Sequence, residues 1–384
     1  MKKSAWRFIL LSLSIAMIAG TCSVCAEAQS IPVAAQLGWV VDIQPRQPPG
    51  KLTVLQRRGE DPKPGKIGMP IRRSYLLMLA PGAKAIIHCA GKDEPIELKL
   101  PSQPSPCSPP SPLDTGGRSV RMPGADTANS PFPIIISPRG TELLTDRPTL
   151  RWSPVSNTVD AGTDNPETSY TVSIHRNGKL VWDQPGVKAN ELAYPANQPP
   201  LTPGVYLVVV SSNRDTSSDL EQVANRGFVV LPKCPQRADH QPCKEATIRG
   251  KEQRIRDLKL PEDSTRLLIG ELYAHNGLFA EAIEQFEAAR QILDIPVVLR
   301  RIADCYADVG LNREASKLYL EALDLPQSDA DLETRGLILW SLASAYDQLG
   351  EFDKAPLRYD QAIETYLKLD DQDAVKELRK LRSQ

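Results

Sequence analysis

Histidine is scarce in this chain and is scattered where it occurs. His88, His175, His240 and His275 are the four in 384 residues, and none forms an HExxH or other paired metal spacing. No GxSxG elbow occurs. The stretch "GEDPKPGKI", Gly59 to Ile67, has the outline of a phosphate loop but fails as one. It is a residue too long, its prolines lack the backbone N–H groups such a loop uses, and Ile67 stands where Ser or Thr would reach magnesium. A charge excess is also missing, since 46 basic residues face 47 acidic ones for a net charge of −1. That balance gives no electrostatic footprint for nucleic acid or an anionic membrane. With no acid–base, nucleophile or metal-ligand set, the sequence reads as non-enzymatic, with no cofactor and no metal.

Long apolar runs are missing too. The one near the start, Phe8 to Gly20, follows Lys2, Lys3 and Arg7 and precedes the small residues Ala26-Glu27-Ala28. It is shorter than the roughly 20 residues a spanning helix needs. Residues 1–28 therefore read as a secretory signal peptide, with an uncleaved anchor as the alternative, and nothing later could span a membrane. Neither Cys22 nor Cys25 stands in a lipoprotein pattern.

Export would place the remaining five cysteines in an oxidising compartment, where close pairs become disulfides. Cys89 with Cys107, and Cys234 with Cys243, are the expected bridges. The second pair flanks His240 in "CPQRADHQPC", which suggests zinc, but a structural zinc site wants four ligands and no fourth is near. Cys305 is left over in a helical apolar pattern and reads as a buried, inert thiol.

Proline is plentiful up to about residue 235 and sparse afterwards, which divides the chain into a β- and loop-rich front and a helical back. Residues 35–100 hold the short β-like runs "GWVVDI", "LTVLQRR", "SYLLMLA" and "AKAIIHCA", each bounded by Gly, Pro or charge. They predict a small antiparallel domain, an SH3-like barrel or a sandwich. The order of a Trp-Val strand, a basic strand, "LAPGAKAIIHCAG" and a Pro-rich exit resembles the small β domain of FecR-type envelope proteins, and that resemblance implies the cell envelope of a bacterium. Residues 101–130 are rich in Pro, Ser and Gly and read as a linker.

Residues 131–232 read as a second antiparallel β domain. "SYTVSIHRNGKLVW" predicts a hairpin turning at Asn177-Gly178. "RPTLRW", "NELAY", "GVYLVVVSSN" and "RGFVVL" supply further strands. With Trp152 on the strand "RPTLRW" and Tyr206 opening "YLVVV", the segment resembles fibronectin type III or immunoglobulin-like sandwiches, and Trp152 reads as core. Residues 233–260 follow as a Cys loop and a charged linker helix.

The helical back repeats itself. Aligning Gly277, Gly310 and Gly350 puts Tyr273, Tyr306 and Tyr346 four residues earlier and Ala282, Ala315 and Ala355 five residues later. Phe286, Tyr319 and Tyr359 stand nine later, and Ala289, Ala322 and Ala362 twelve later. Gly270, Ala303 and Ala343 keep the position seven before the glycine small. The spacings are 33 and 40 residues, the second lengthened near "QSDADLET". This code resembles the tetratricopeptide repeat, a stack of antiparallel helix pairs. Residues 261–370 then form three repeats, about 263–295, 296–328 and 336–369, with 371–384 as a capping helix. The glycines are expected to end each first helix in a left-handed conformation. Each pair alone leaves an apolar face that stacking buries.

In that family the ligand face is lined by the first helix of each pair. The resemblance assigns Glu271 and His275, then Arg300, Arg301, Asp304 and Asp308, then Trp340, Ser344, Asp347 and Gln348 to an exposed inner face. Arg and Trp are favoured at interaction hot spots, whereas the acids and serines beside Arg300 and Arg301 do not fit a clamp for a chaperone's C-terminal carboxylate. The expected role is an exported scaffold in the periplasm or cell envelope that binds a protein or peptide through this groove. Attachment to cell-wall glycan through the β domains is one alternative. An accessory or regulatory subunit of an envelope enzyme or signalling system is the other.

Overall fold

Short strands open the structure and stacked helices close it. The computed structural model describes residues 38–46, 51–55, 62–72, 75–98, 101–107, 130–155, 168–221, 226–234, 243–293, 295–325 and 332–383. The expected signal peptide with Cys22 and Cys25, most of the Pro-rich linker, His240 and the inserted residues 326–331 lie outside the described residues.

The first β domain contains β1 (Gly38–Gln44), β2 (Leu52–Leu55), β3 (Lys63–Pro64), β4 (Pro70–Ile71), β5 (Leu76–Leu79), β6 (Lys84–Cys89), β7 (Ile96–Leu98) and β8 (Ser102–Pro104). They form two four-stranded antiparallel sheets, in the orders β4-β1-β6-β7 and β3-β2-β5-β8. Val40, Leu52, Val54, Leu77, Ala85 and Ile87 fill the space between them. β8 pairs with β5, and Cys107 is joined to Cys89 on β6. The domain thus runs to Cys107, and the expected boundary at residue 100 is corrected. A three-residue strand among prolines carries no alternation by which sequence could mark it.

The first of these sheets is buried on both faces. On β1 and β6, Val40, Ala85, Ile87 and Cys89 point into the domain, while Trp39, Val41 and Ile86 join the core of the helical part. The successive side chains of a strand point to opposite sides, so unbroken apolar runs such as "WVV" and "AII" fit a sheet covered twice.

The second β domain contains β9 (Ile135–Ser137), β10 (Thr141–Leu143), β11 (Thr149–Trp152), β12 (Tyr170–Arg176), β13 (Lys179–Val187), β14 (Glu191–Ala193), β15 (Gly204–Ser212) and β16 (Gly227–Val230). A five-stranded sheet, β10-β16-β15-β12-β13, faces a three-stranded one, β14-β11-β9, over a shared core. Trp152 is buried there with its ring edge-on to Tyr170. The β12–β13 hairpin turns at Asn177-Gly178, both with positive φ. β10 and β16 pair in parallel, the one departure from the antiparallel expectation among the described residues of this domain.

The described residues contain eight α-helices: α1 (Lys244–Asp257), α2 (Glu262–His275), α3 (Phe279–Arg290), α4 (Pro296–Asp308), α5 (Asn312–Asp324), α6 (Leu332–Gln348), α7 (Ala355–Lys368) and α8 (Gln372–Arg382). Each packs on the next, and α4 also touches α6. Gly277, Gly310 and Gly350 end α2, α4 and α6 with φ of +78°, +82° and +72°, the left-handed conformation that a Cβ disfavours. Pro296 opens α4, where its missing N–H costs no helical bond. Phe286, Tyr319 and Tyr359 are buried between helices, each contributing about 1.5–3 kcal/mol through removal from water. α1, expected as a linker, buries Ile248 and Ile255 in the helical core, and its Glu252 accepts a hydrogen bond from Tyr273 Oη at 2.8 Å.

Candidate functional site

The alternate helices α2, α4 and α6, with the start of α8, form a row against which the first β domain lies. This row carries the residues expected to face a partner. Glu271, Arg300, Trp340 and Ser344 are buried in it, so the expectation of an exposed face is corrected at these four positions. Trp340 lies edge-on to Tyr366 with ring centroids 6.1 Å apart, between α6 and α7. His275, Arg301, Asp304, Asp308, Asp347 and Gln348 remain partly exposed.

The middle of the row is a polar network. Arg301 holds Glu271 of the preceding pair through both Nε and Nη2. Asp304 accepts from Arg300 Nη1 at 3.0 Å, from Arg301 Nη1 at 3.3 Å and from Tyr319 Oη at 2.6 Å. Burial would raise the Glu271 carboxyl, but the Arg301 guanidinium outweighs it and holds that carboxyl below its usual range. Opposite, on β6, His88 contacts Trp39 edge-on and makes a 2.9 Å bond to the Lys92 carbonyl. Burial pushes the His88 imidazole below its usual range, and the nearby Glu271 only partly offsets this. A carbonyl oxygen only accepts, so His88 donates Nε2–H to it.

Two arginines fasten the β domain to the row. Arg46 Nη1 and Nη2 donate to the two oxygens of Asp263 at 2.9 and 3.1 Å, and Nη2 also reaches Ser264 Oγ at 2.9 Å. The same guanidinium holds the fully buried Asp42 of β1 through Nε at 2.9 Å. Ser264 Oγ donates in turn to the Val41 carbonyl at 3.1 Å, closing the contact between strand and helix start. Arg72 Nε donates to Glu333 Oε2 at 2.5 Å and Nη1 to Asp371 Oδ2 at 2.9 Å. Asp371 also caps α8 by accepting from Ala374 N at 3.0 Å. Burial lifts the Glu333 carboxyl to about 7 despite Arg72 beside it. Lys251 pairs with Asp93, Arg254 pairs with Glu94 at 2.7 Å, and His275 Nε2 stands 3.8 Å from Asp93. The turn at Gly68 presses on Ile295 and Val297, so closely that a Cβ there would lie 2.9 Å from Ile295 Cδ1.

The second β domain grips the turns between helices. Arg139 and Glu221 form a buried two-pronged pair, both bonds 2.8 Å, and Arg139 Nε donates to the Val309 carbonyl at 3.0 Å. The Gly277 carbonyl accepts from Glu142 N at 3.1 Å and Thr141 Oγ1 at 3.2 Å. Glu281 of α3 accepts from Leu144 N at 2.6 Å and Thr145 N at 3.3 Å. Burial raises this carboxyl to about 7, more than its backbone donors lower it.

Both expected disulfides are formed, Cys89–Cys107 and Cys234–Cys243. Cys305 is free and buried, and burial pushes its thiol well above the usual range. Among the described residues no three potential metal ligands gather, and no helix is long and apolar enough to cross a membrane. Arg46, Arg72, Asp93, Glu281 and Glu333 carry the contacts between domains, and sequence reasoning missed all five. Only the two-sided apolar strands β1 and β6 signalled that something covers the sheet. Neither the protein-family models nor the curated proteins compared with this chain give a match.

Proposed function

We propose that the chain is an exported, non-catalytic interaction scaffold, and that its helical part is a tetratricopeptide-type array with a protein-docking inner row. The recurring glycine, alanine and ring positions support the repeat reading. Each glycine ends a first helix in the left-handed conformation, and each second-helix ring is buried. On this reading the first β domain is of FecR type and the second an immunoglobulin-like or fibronectin-like sandwich. Two disulfides are compatible with export to an oxidising envelope compartment.

The observation that carries the reading is the use the chain makes of its own row. Asp263, Glu271, Glu333 and Asp371 sit along it, and a folded protein surface meets it through Arg46 and Arg72. A row with that chemistry suits a protein or peptide partner carrying basic and aromatic side chains. The test is crosslinking in cells from a photoreactive residue at Asp347 or Gln348, which stay partly exposed. A crosslink to one identified protein from both sites supports the scaffold. Only intrachain products, or none, from the wild type and from a variant with Arg46→Glu and Arg72→Glu alike, would reject it.

A further inference from the structure

We propose that the first β domain is a releasable intramolecular occupant of the inner row, an autoinhibitory contact that must open before a partner reaches Asp263 and Glu333. The idea that a partner enters the row rests on the scaffold reading above. The release of the domain does not.

Three observations point to a docked module and not to a fused core. First, the domain has its own core between two sheets, and the Cys89–Cys107 bridge closes it on itself. Second, among the described residues only Trp39, Val41 and Ile86 of the domain's buried apolar side chains leave that core to join the helices. Third, besides the Gly68 turn against Ile295 and Val297 and the Ser264–Val41 bond, the contact is ionic and spread over separate helices. Arg46 reaches α2, Arg72 reaches α6 and the cap of α8, and Asp93 and Glu94 reach α1. Charges drawn from water are costly to bury, so such a contact holds less firmly than an apolar one of similar size. Contacts of this mixed kind between domains commonly permit relative motion.

The occupant covers the side chains that give the row its chemistry. Asp263, Glu271 and Glu333 are all buried in the closed form, two of them against arginines of the β domain and Glu271 opposite His88. Leaving the row would uncover Asp263 and Glu333 together, while Glu271, clasped by Arg301 of α4, and Glu281, held on α3 by Leu144 and Thr145 of the other β domain, would stay paired.

Carboxyl footprinting with a carbodiimide and glycine ethyl ester on the full chain tests this. In the wild-type protein Asp263, Glu271 and Glu333 label slowly and Glu364, which is exposed, labels fast. Arg46→Glu with Arg72→Glu should raise labelling at Asp263 and Glu333 severalfold and leave Glu281 protected. The neutral pair Arg46→Gln with Arg72→Gln should move them in the same direction by less. If either pair of substitutions leaves the row protected, or exposes Glu281 in step with it, the domain is part of one cooperative core and the proposal fails. Photocrosslinking from Gln348 on the same variants separates the two readings. Row labelling that rises without any intermolecular crosslink rejects the scaffold but keeps the releasable occupant. An intermolecular crosslink equally strong in wild type and variants keeps the scaffold and rejects autoinhibition.

Discussion

Gly270 of α2 lies against the ring of Phe286 on α3, so closely that a Cβ at Gly270 would stand 2.6 Å from Cε1. The smallness shared by Gly270, Ala303 and Ala343 thus has a local cause at its first occurrence. The glycine is the seat of the ring that holds the first helix pair together. Replacing it by Gly270→Val should destabilise the protein by about 1–3 kcal/mol, as overpacking of a filled core does. Adding Phe286→Leu should recover part of that loss, a non-additivity expected of residues in contact. Denaturation midpoints of the two single variants and the double variant measure it.

Glu281 gives the stability a definite pH slope. Its folded-state value of about 7 lies above the ordinary carboxyl value. A group raised on folding stabilises fully below its unfolded value and loses that contribution as pH rises through the folded one. Stability should therefore fall between about pH 4.5 and 7, by a few kcal/mol at most. Glu281→Gln keeps an acceptor for Leu144 and Thr145 and removes the titration. Its unfolding free energy should be flatter across that window than that of the wild type, as read from denaturant melts at pH 5 and pH 8.

Arg72→Ala leaves Glu333 and Asp371 without their shared cation. Breaking a buried pair by removing one partner costs about 3–5 kcal/mol. Glu333 already titrates near 7, so it takes up a proton in acid and escapes much of that cost. The drop in melting temperature relative to wild type should be large at pH 8 and small at pH 5, by calorimetry at the two pH values. An equal drop at both would mean that Arg72 acts through packing alone.

The thiols should count out simply. With Cys89–Cys107 and Cys234–Cys243 closed, the chain from residue 38 onward carries one free thiol, Cys305. Folded protein trimmed of residues 1–28 should show no reaction with a thiol reagent, because that thiol is buried and raised by burial. After denaturation without reductant it should show about one. Reduction before denaturation should cost about 2–4 kcal/mol per bridge in the chain-entropy model.

Local packing was legible in the sequence and docking was not. The positions of Gly277, Gly310 and Gly350 marked three helix ends because only a residue without a Cβ adopts that turn cheaply. Cys89 and Cys107 could be paired from spacing, and Trp152 placed in a core, because each depends on its neighbours along one domain. β3, β4 and β7 were too short to show an alternation, and β8 was hidden among prolines. Glu271 looked free because the repeat code does not use it. It is clasped by Arg301 on α4, and the His88 imidazole, more than 180 residues earlier in the chain, is near enough to act on it electrostatically. Arg46 and Arg72 stand among loop residues with no pattern that names a partner, so only the assembled structure brings them to Asp263 and Glu333.

The grip of the second β domain on the helix turns has a mechanical consequence. Arg139 holds the carbonyl of Val309 while Thr141 and Glu142 hold that of Gly277, two turns that lie one helix pair apart. Bending the array at that junction would stretch one bond or compress the other. The domain thus ties the first two helix pairs to one rigid sheet edge, so a bend at the joint between them is resisted by both turns at once.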